Sequence, residues 1–368
     1  MTDTPPAKGP LQGVRIVEFE AIGPVPFAGM MLSDMGADIV RIDRPAAPGA
    51  DDAVRFNTLN RGRRSIALNL KDEDHRQIAL RIIAKSDALI EGMRPGVMER
   101  LGLSPGEAMQ ANPRLVYGRM TAWGQAGPLA ARAAHDINVL ALTGALGAIG
   151  DPLLPPPPPL SLVADFGGGG MLLAFAVVCG LLEARSSGQG QVIDAAMFDG
   201  VNSLMAVVHG MIAAGSWSPR RGDNIMDGGA PNYASYQCAD NKYVAFGALE
   251  DKFLGTALSV LKTSGAAGSD TGADRPSLET AFAARTRDEW AASFDDMDAC
   301  VSPVLTLDEA PDHAHARARG AFLDLNGVLQ PAPAPRFERT PGAVQGPPPR
   351  PGEHTEEILR ELDLPLPT

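Results

Sequence analysis

The sequence predicts an α/β protein: a large domain built on a Rossmann-like parallel sheet, followed by a smaller α+β domain. Short apolar runs alternate with helical patterns between residues 14 and 120, which is typical of a parallel sheet covered by helices. After about Asp223 the long helical patterns give way to short pieces rich in glycine and proline. A chain of 368 residues is also long enough to form two domains, each with its own core.

The first elements are predicted to form a βαβ unit. Residues 14–19 read as a buried strand, residues 24–35 as a helix and residues 39–42 as the next strand. Pro24 and Pro26 fit the first turn of this helix, because a missing N–H group is tolerated there. Further strands are predicted at residues 65–68, 88–91 and 115–120, with helices at residues 73–84 and 97–111 between them. Parallel strands need crossovers of this kind.

The second half of the chain is predicted in less detail. Five consecutive prolines, Pro155 to Pro159, indicate a stiff extended connector, and helices are predicted at residues 171–186 and 195–214. A strand is predicted at residues 242–246, a strand returning to the large domain at residues 301–305, and a hairpin turn at Asn326-Gly327. The predicted limits are 1–222 for the large domain with its long linking helices, 223–298 for the small domain, and 299–368 for a return to the large domain and a C-terminal tail.

Composition excludes several classes of function. A net charge of −12 without a long basic block argues against nucleic acid as a partner. Three distant cysteines without C-x-x-C spacing predict neither a disulfide framework nor a metal site. The turn at residues 20–24 lacks G-x-G-x-x-G, which disfavours NAD and FAD and leaves no expected cofactor.

The expected location is the cytoplasm, with no membrane partner. Residues 1–10 are polar and lack the apolar stretch of a secretory signal. The longest apolar run, residues 171–182, is too short to span a bilayer and predicts a buried helix.

Two segments carry the candidate chemistry. His135-Asp136-Ile137-Asn138 is followed thirty residues later by Asp165, after which Gly167 to Gly170 open the apolar run. An imidazole and a carboxylate on opposite sides of one carbon can take a proton from one face and return it to the other, which is the chemistry of a racemase. Glycines at a helix start let backbone N–H groups approach a ligand. The amides near Asp165 are therefore predicted to stabilise an enolate oxyanion.

Nine ordered motifs carry a resemblance to a known family. They are GADIVRIDRP (36–45), RPGVMERLGL (94–103), HDIN (135–138), LVADFGGGG (162–170), SGQGQVIDAAMFDG (187–200), DGGAPNY (227–233), GALEDKF (247–253), DACVSPVL (298–305) and GEHTEEIL (352–359). Through them nearly the whole chain resembles the CaiB/BaiF family, also called family III CoA-transferases. HDIN is similar to the motif of the racemases in this family. The resemblance implies a cofactor-independent racemase or epimerase of 2-methylacyl-CoA thioesters that acts through an enolate.

The resemblance also implies roles for individual residues. His135 and Asp165 become the two bases, and Glu250 becomes the carboxylate that orients the histidine. Because the family forms an interlocked homodimer with sites between a large domain and the partner's small domain, Glu250 is expected to arrive from the other chain. The substrate and CoA moiety are expected to contact Arg44, Leu68, Asn69, Leu70, Lys71, Gly92, Met93, Arg94, Pro95, Gly96, Arg100, Ala134, Asp136, Ile137 and Asn138.

Several alternatives remain open from the sequence. Asp165 is a nucleophile instead of a base if the protein is a CoA-transferase, and it caps a helix beginning near Met171 if it has no catalytic role. A CoA-binding protein without catalysis is a third possibility. Glu250 is either the partner of the histidine or a surface residue at a helix start. Ala134 stands where the racemase motif usually has glycine, and Asn69 where an aspartate is often found, so both positions bear on substrate range.

Other polar residues have simpler interpretations. The basic cluster Arg61, Arg63 and Arg64 is explained by a solvated loop nearly as well as by phosphate contact. No acidic partner stands at suggestive spacing from His75, His209, His313 or His315, which are predicted to be incidental. His354 lies in a family motif of structural character.

Overall fold

The computed structural model describes residues 9–45, 54–264 and 272–363. Most of the N-terminal segment in which no secretory signal is predicted lies outside the described residues. The strands are β1 Arg15–Phe19, β2 Asp38–Asp43, β3 Arg63–Ala67, β4 Ala88–Glu91, β5 Val116–Thr121, β6 Gln191–Ala196, β7 Tyr233–Gln237, β8 Tyr243–Gly247, β9 Val301–Pro303, β10 Phe322–Leu325 and β11 Val328–Pro331.

Helices connect most of these strands. They are α1 Pro24–Asp34, α2 Glu73–Ala84, α3 Val97–Arg100, α4 Pro105–Ala111, α5 Asp136–Leu142, α6 Leu172–Ser187, α7 Met197–Leu204, α8 Ala206–Ala213, α9 Asp251–Thr263, α10 Arg275–Phe282, α11 Arg287–Phe294, α12 Ala314–Arg319 and α13 Thr355–Glu361. A π-helical segment, Leu162–Met171, leads directly into α6.

Six strands form one parallel sheet in the order β3-β2-β1-β4-β5-β6. The chain first moves outward from β1 to β3 and then outward in the opposite direction from β4 to β6, so the order reverses between β1 and β4. Ligands of such sheets bind outside the carboxyl ends of the strands at this reversal. The predicted α/β fold with a Rossmann-like parallel sheet is confirmed, whereas β6 was not predicted.

Apolar side chains and a histidine fix one face of this sheet. The core there joins strand residues to α2, α4 and α13 through buried side chains that include Phe19, Ile42, Ile66, Leu89, Tyr117, Ile78, Ile82, Ala108, Ile358 and Leu359. Nδ1 of His354 accepts a hydrogen bond from the Ser65 N–H (3.2 Å), and the His354 N–H donates to the Ser65 carbonyl (2.9 Å). His354 therefore has the structural role predicted for it.

Arg61 and Arg63 of the basic cluster are neither solvated nor available to phosphate. Arg61 is paired with Asp34 (2.6 Å) and Arg63 with Glu18 (3.0 Å), all four side chains being buried. Arg64 is paired with Asp38 (2.7 Å). Removing one partner of a buried pair destabilises a protein, because it leaves an uncompensated charge. These arginines therefore have a structural role in the sheet.

Glycines bring the π-helical segment close to its neighbours. A Cβ atom on Gly200 would lie 1.9 Å from the carbonyl oxygen of Gly168, and one on Gly169 would lie 2.9 Å from Cβ of Pro24. Only glycine permits this approach of α7 and α1 to the segment. The glycines thus serve helix packing, and the prediction that they approach a ligand is wrong for Gly168, Gly169 and Gly170, which are buried.

The described chain divides into two compact units: Met1–Thr143 with Pro159–Met205 and Gly320–Thr368, and Gly144–Pro158 with Ala206–Arg319. The second unit contains the antiparallel sheet β7-β8-β9, which packs on an aromatic core that includes Tyr236, Phe246, Phe282 and Trp290. β9 was expected to return to the large domain, but it pairs with β8 in the second unit. In the first unit, the hairpin β10-β11 turns at Asn326-Gly327 as predicted, both residues having positive φ.

The long apolar helix is less buried than predicted. Met171, Phe175, Val178 and Leu182 follow a spacing of four, three and four residues, which places them on one helix face, and all four are exposed. Phe175 is 67% and Leu182 71% exposed. By length and composition alone the continuous helix Leu162–Ser187 could cross a membrane, although 39% of its most apolar window is buried in the protein. We call this exposed face the α6 stripe.

Candidate active site

A cavity of about 330 Å³ opens where the strand order reverses. The segments that follow β1, β4 and β5 form most of its wall, as the topology of the sheet requires. The lining residues are Ile22 to Val25, Gly92 to Pro95, Met120 to Trp123, Ala130, Arg132 to His135, Asp165 and Met197. His135 and Asp165, predicted from separate segments, therefore face one cavity.

His135 stands immediately before α5. Its backbone N–H donates to Oδ1 of Asn138 (3.1 Å), which satisfies an amide at the helix start. Asn138, predicted to contact substrate, is thus used to fix the backbone of the histidine.

Asp165 lies in the π-helical segment Leu162–Met171 and not at the start of a helix near Met171. Such segments are rare in proteins, and those that do occur are often found at functional sites. Burial raises the pKa of the Asp165 carboxyl, and the charge of Asp136 raises it further, while Ser161 and His135 act in the opposite direction. The raised pKa predicted for Asp165 is confirmed in direction.

The amides expected to form an oxyanion hole are occupied. The N–H groups of Ala164 and Asp165 both donate to Oδ2 of Asp136 (2.8 and 2.9 Å), and the Phe166 N–H donates to the Ser161 carbonyl (3.2 Å). The carboxylate of Asp136 is therefore turned to the protein, and the predicted donors are wrong. Among the described residues, the N–H groups of Asp136 and Ile137, in the first turn of α5, have no acceptor.

A second cavity of about 680 Å³ adjoins the first at Met93, which lines both. Its wall comprises Arg44 and Pro45 after β2, Leu68 to Lys71 after β3, and Met93, Val97 and Leu101. The predicted residues Arg44, Leu68, Asn69, Leu70, Lys71 and Met93 are thereby brought together. Two of them, Arg44 and Lys71, are cations.

The first turn of α2 supports the wall of the second cavity. Nδ1 of His75 accepts a hydrogen bond from the Asn69 N–H (2.8 Å). Arg76 donates to the carbonyls of Leu70 (3.3 Å) and Lys71 (3.0 Å). The prediction that His75 is incidental is wrong, because its partner is a backbone amide that residue spacing does not reveal.

Several predicted residues line neither cavity. Gly96 has a positive φ and precedes α3, where a Cβ atom would lie 3.2 Å from Nη1 of Arg100. Glu250 is an exposed residue of the second unit that directly precedes α9. Its side chain does not cap that helix, so both interpretations of Glu250 stay predictions. In the described ranges no group of three His, Cys, Asp or Glu side chains could hold a metal ion.

Sequence reasoning missed much of the first wall. The cavity is also lined by Gly23, Trp123, Arg132 and Met197. Gly23 has a positive φ, and a Cβ atom on it would lie 3.3 Å from Oδ2 of Asp165. A usable signal existed for two of them. Gly23 follows β1 and Trp123 follows β5, so the rule for the carboxyl ends of parallel strands identifies both positions.

A buried ionic network supports the turn between the two cavities. Glu91, at the end of β4, accepts hydrogen bonds from the Met93 N–H (2.5 Å) and from Nε of Arg119 (3.1 Å). Nη1 of Arg119 also donates to Glu99 on α3 (2.9 Å). Burial raises the pKa of Glu91 to about 7.

We expect the ionisation of Glu91 to lower the free energy of unfolding as the pH rises. The pKa of Glu91 in the folded chain is about 7, above the ordinary 4.5. The contribution of Glu91 to the free energy of unfolding is therefore full below pH 4.5 and is lost as the pH rises through 7. Between pH 5 and 7.5, wild type should lose more unfolding free energy in urea than Glu91→Gln, by on the order of 2 kcal/mol. Glu279→Gln, which changes an exposed glutamate, serves as control. Equal losses in wild type and Glu91→Gln would contradict the expectation.

Known proteins resemble this chain along most of its length. The family model described as CoA-transferase family III matches residues 11–355. α-Methylacyl-CoA racemase of Mus musculus is 42% identical over 95% of this chain and 93% of its own length. Acetyl-CoA:oxalate CoA-transferase of Acetobacter aceti is 31% identical over 90% of each. The crystal structure of a CAIB/BAIF family protein from Brucella suis has a TM-score of 0.82 at 26% identity, covering 97% of this chain and all of that one. The chain therefore belongs to CoA-transferase family III.

Proposed function

We propose that the protein is a racemase or epimerase that interconverts (R)- and (S)-2-methylacyl-CoA thioesters. The observation that carries the proposal is the presence of His135 and Asp165, from distant segments, on the wall of one cavity at the reversal of the sheet. The 42% identical mouse relative named α-methylacyl-CoA racemase supports the same reaction, while the transferase relative is more distant at 31%.

The reaction moves one proton at the carbon next to the thioester carbonyl. One base removes this proton, an enolate forms, and the other base returns a proton to the opposite face. His135 and Asp165 exchange the roles of acid and base when the substrate is the opposite enantiomer. The raised pKa of Asp165 suits this exchange, because general acids and bases work best when their pKa lies near the operating pH.

The enolate needs hydrogen-bond donors where its negative charge develops. The N–H groups of Asp136 and Ile137 are suited to this task, since they follow His135 directly and no described acceptor uses them. They also lie in the first turn of α5, where the helix dipole favours negative charge. In this reaction the two amides hold the thioester oxygen beside the histidine.

The CoA moiety is part of the substrate, so the reaction requires no separate cofactor. Arg44 and Lys71 in the second cavity supply positive charge for its phosphates, and Arg94 lines the first cavity close to the shared wall at Met93. Local cations of this kind bind phosphate despite the acidic net charge of the chain. Ala134 lines the first cavity, where its methyl group takes up space next to the acyl group.

The test is incubation of one enantiomer of a 2-methylacyl-CoA in heavy water. The proposal predicts that deuterium enters at the α-carbon while optical purity is lost. A second candidate, acyl-CoA:carboxylate CoA-transfer with Asp165 as nucleophile, is favoured by the position of that carboxylate on the cavity wall. Hydroxylamine would then trap an acyl group on Asp165 in the presence of acyl-CoA. Binding of acyl-CoA without either result would leave a CoA-binding protein without catalysis.

We also propose a homodimer in the cytoplasm, in which the α6 stripe is covered by a second copy. A helix face with four large exposed apolar residues is unfavourable in water and is typical of an interface. In such a dimer, Glu250 of the second copy is the carboxylate that orients the histidine. No membrane and no nucleic acid are required by this assembly.

Phe175→Glu is expected to convert the dimer to monomer, because the stripe would then carry a charge at its centre. Sedimentation velocity measures the mass of wild type and variant. Leu329→Glu, which changes an exposed leucine on β11 that is not part of the stripe, should leave the mass unchanged. A monomeric wild type, or a Phe175→Glu variant that stays dimeric, would contradict the proposal. If Phe175→Glu kept the mass of wild type but lost binding to lipid vesicles, the stripe would instead bind a membrane surface.

A further inference from the structure

One carboxylate links the segments that carry the two bases. Asp136 is the first residue of α5 and follows His135 directly. It is buried, and its Oδ2 accepts hydrogen bonds from the backbone N–H groups of Ala164 (2.8 Å) and Asp165 (2.9 Å). The side chain next to one base thus binds the backbone of the other.

We propose that Asp136 is a positioning residue that holds His135 and Asp165 at a fixed separation across the cavity. The inference rests on the proposed racemase function, in which both groups must reach one carbon atom. A displacement of about 1 Å at a reacting centre can cost on the order of 100-fold in rate. A hydrogen-bonded link between the two backbones is a direct way to prevent such a displacement.

Both ends of the link are held by other contacts. On one side, Asn138 fixes the start of α5 through the His135 N–H (3.1 Å). On the other side, the π-helical segment packs against α7 at Gly168 and Gly200 with no room for a Cβ atom. Each segment is thus held by its own contacts, and Asp136 joins the two through its hydrogen bonds to the N–H groups of Ala164 and Asp165.

The charge of Asp136 has a second effect on the same base. It raises the pKa of Asp165 in addition to burial, so it helps Asp165 to hold the proton that it must deliver. The other charged or titratable side chains on the cavity wall are His135, which lowers this pKa, and Arg94 and Arg132. Removing the charge at residue 136 should therefore move the acidic limb of the pH–rate profile to lower pH.

Two substitutions separate the link from the charge. Asp136→Asn keeps an oxygen that can accept both N–H bonds but removes the charge, whereas Asp136→Ala removes both. Asp199→Asn is the matched control, because Asp199 is an exposed aspartate in the first turn of α7. The measurements are kcat and KM for each enantiomer across pH, and amide hydrogen exchange of the peptide covering residues 162–171.

For Asp136→Asn we expect hydrogen exchange close to that of wild type, an acidic limb at lower pH, and a loss of kcat at pH 7 that is smaller than that of Asp136→Ala. For Asp136→Ala we expect faster exchange at residues 164 and 165 and a loss of kcat on the order of 100-fold. KM should change little in either variant, because the CoA moiety binds elsewhere. Since an enzyme cannot alter the equilibrium constant, kcat/KM must fall equally for both enantiomers, which checks the assay.

The outcomes distinguish this inference from the proposed function. If wild type exchanges no α-proton, the racemase function fails, and hydrogen exchange still reports whether Asp136 orders residues 164 and 165. If wild type is active but Asp136→Ala keeps its kcat and its protected amides, the inference is overturned. Should Asp136→Ala fail to fold, Asp136→Asn decides: an unmoved acidic limb with full activity would equally overturn it.

Discussion

Asp165→Asn is expected to slow racemisation severely and to leave proton exchange in only one substrate enantiomer. Asparagine has almost the same shape as aspartate but cannot take or return a proton, so the loss should be roughly 100- to 10,000-fold, the usual contribution of a general acid or base. His135 can still remove the α-proton that faces it. In heavy water, that enantiomer should gain deuterium without inversion, while the other should gain none.

His135→Asn should give the mirror result. Exchange should then persist only in the enantiomer whose α-proton faces Asp165. NMR of recovered substrate measures deuterium at the α-carbon, and chiral chromatography of the released acid measures inversion. Asp199→Asn controls for a lost carboxylate elsewhere in the first unit. Exchange from both enantiomers in Asp165→Asn would refute the two-base mechanism, and loss of a hydroxylamine-trapped acyl group in that variant would instead support the CoA-transferase.

The strands of the sheet were predictable where both faces are buried. β1, β2 and β4 read as apolar runs because helices or neighbouring layers cover them on both sides, and the predicted ranges agree within two residues with those observed. β6 was missed because only its last two residues, Ala195 and Ala196, are buried. An edge strand with Gln191 and Asp194 among its members lacks the apolar pattern on which the prediction depends.

Residue types identified the two proposed bases, but not the contacts that surround them. A histidine and an aspartate at the right motifs could be named from the sequence and are found on one cavity wall. The sequence could not reveal that the Asp165 N–H donates to the carboxylate of Asp136, because the two residues are almost thirty positions apart. The same limit applies to Arg61 and Arg63, whose acidic partners lie on other elements.

The four glycines show why a motif permits more than one physical explanation. Glycine is required wherever backbone must approach closely, whether the neighbour is a ligand or another helix. From the sequence, a ligand was the favoured neighbour. In the fold, a Cβ atom on Gly168 would meet backbone atoms of Gly200 and Val201 and the side chain of Val201. The glycines therefore act on the site indirectly, by setting the position of the segment that carries Asp165.

Gly200→Ala is consequently expected to destabilise the protein and to reduce activity together. The new Cβ atom would lie 1.9 Å from the Gly168 carbonyl oxygen and 2.6 Å from its carbon. Backbone cannot yield as a flexible side chain does, so α7 must move away from the π-helical segment, at a cost of about 3 kcal/mol or more. Urea unfolding at one protein concentration measures the loss of stability, and α-proton exchange measures the loss of activity.

Gly255→Ala is the matched control for this substitution. Gly255 lies inside α9, and a Cβ atom there would meet no atom within 4 Å. Alanine in an open helical position should raise the free energy of unfolding by roughly 0.5–1 kcal/mol. The two substitutions are chemically identical, so opposite signs would isolate the effect of close backbone packing. If Gly200→Ala were as stable and active as wild type, the packing of α7 would not be what places Asp165 at the cavity.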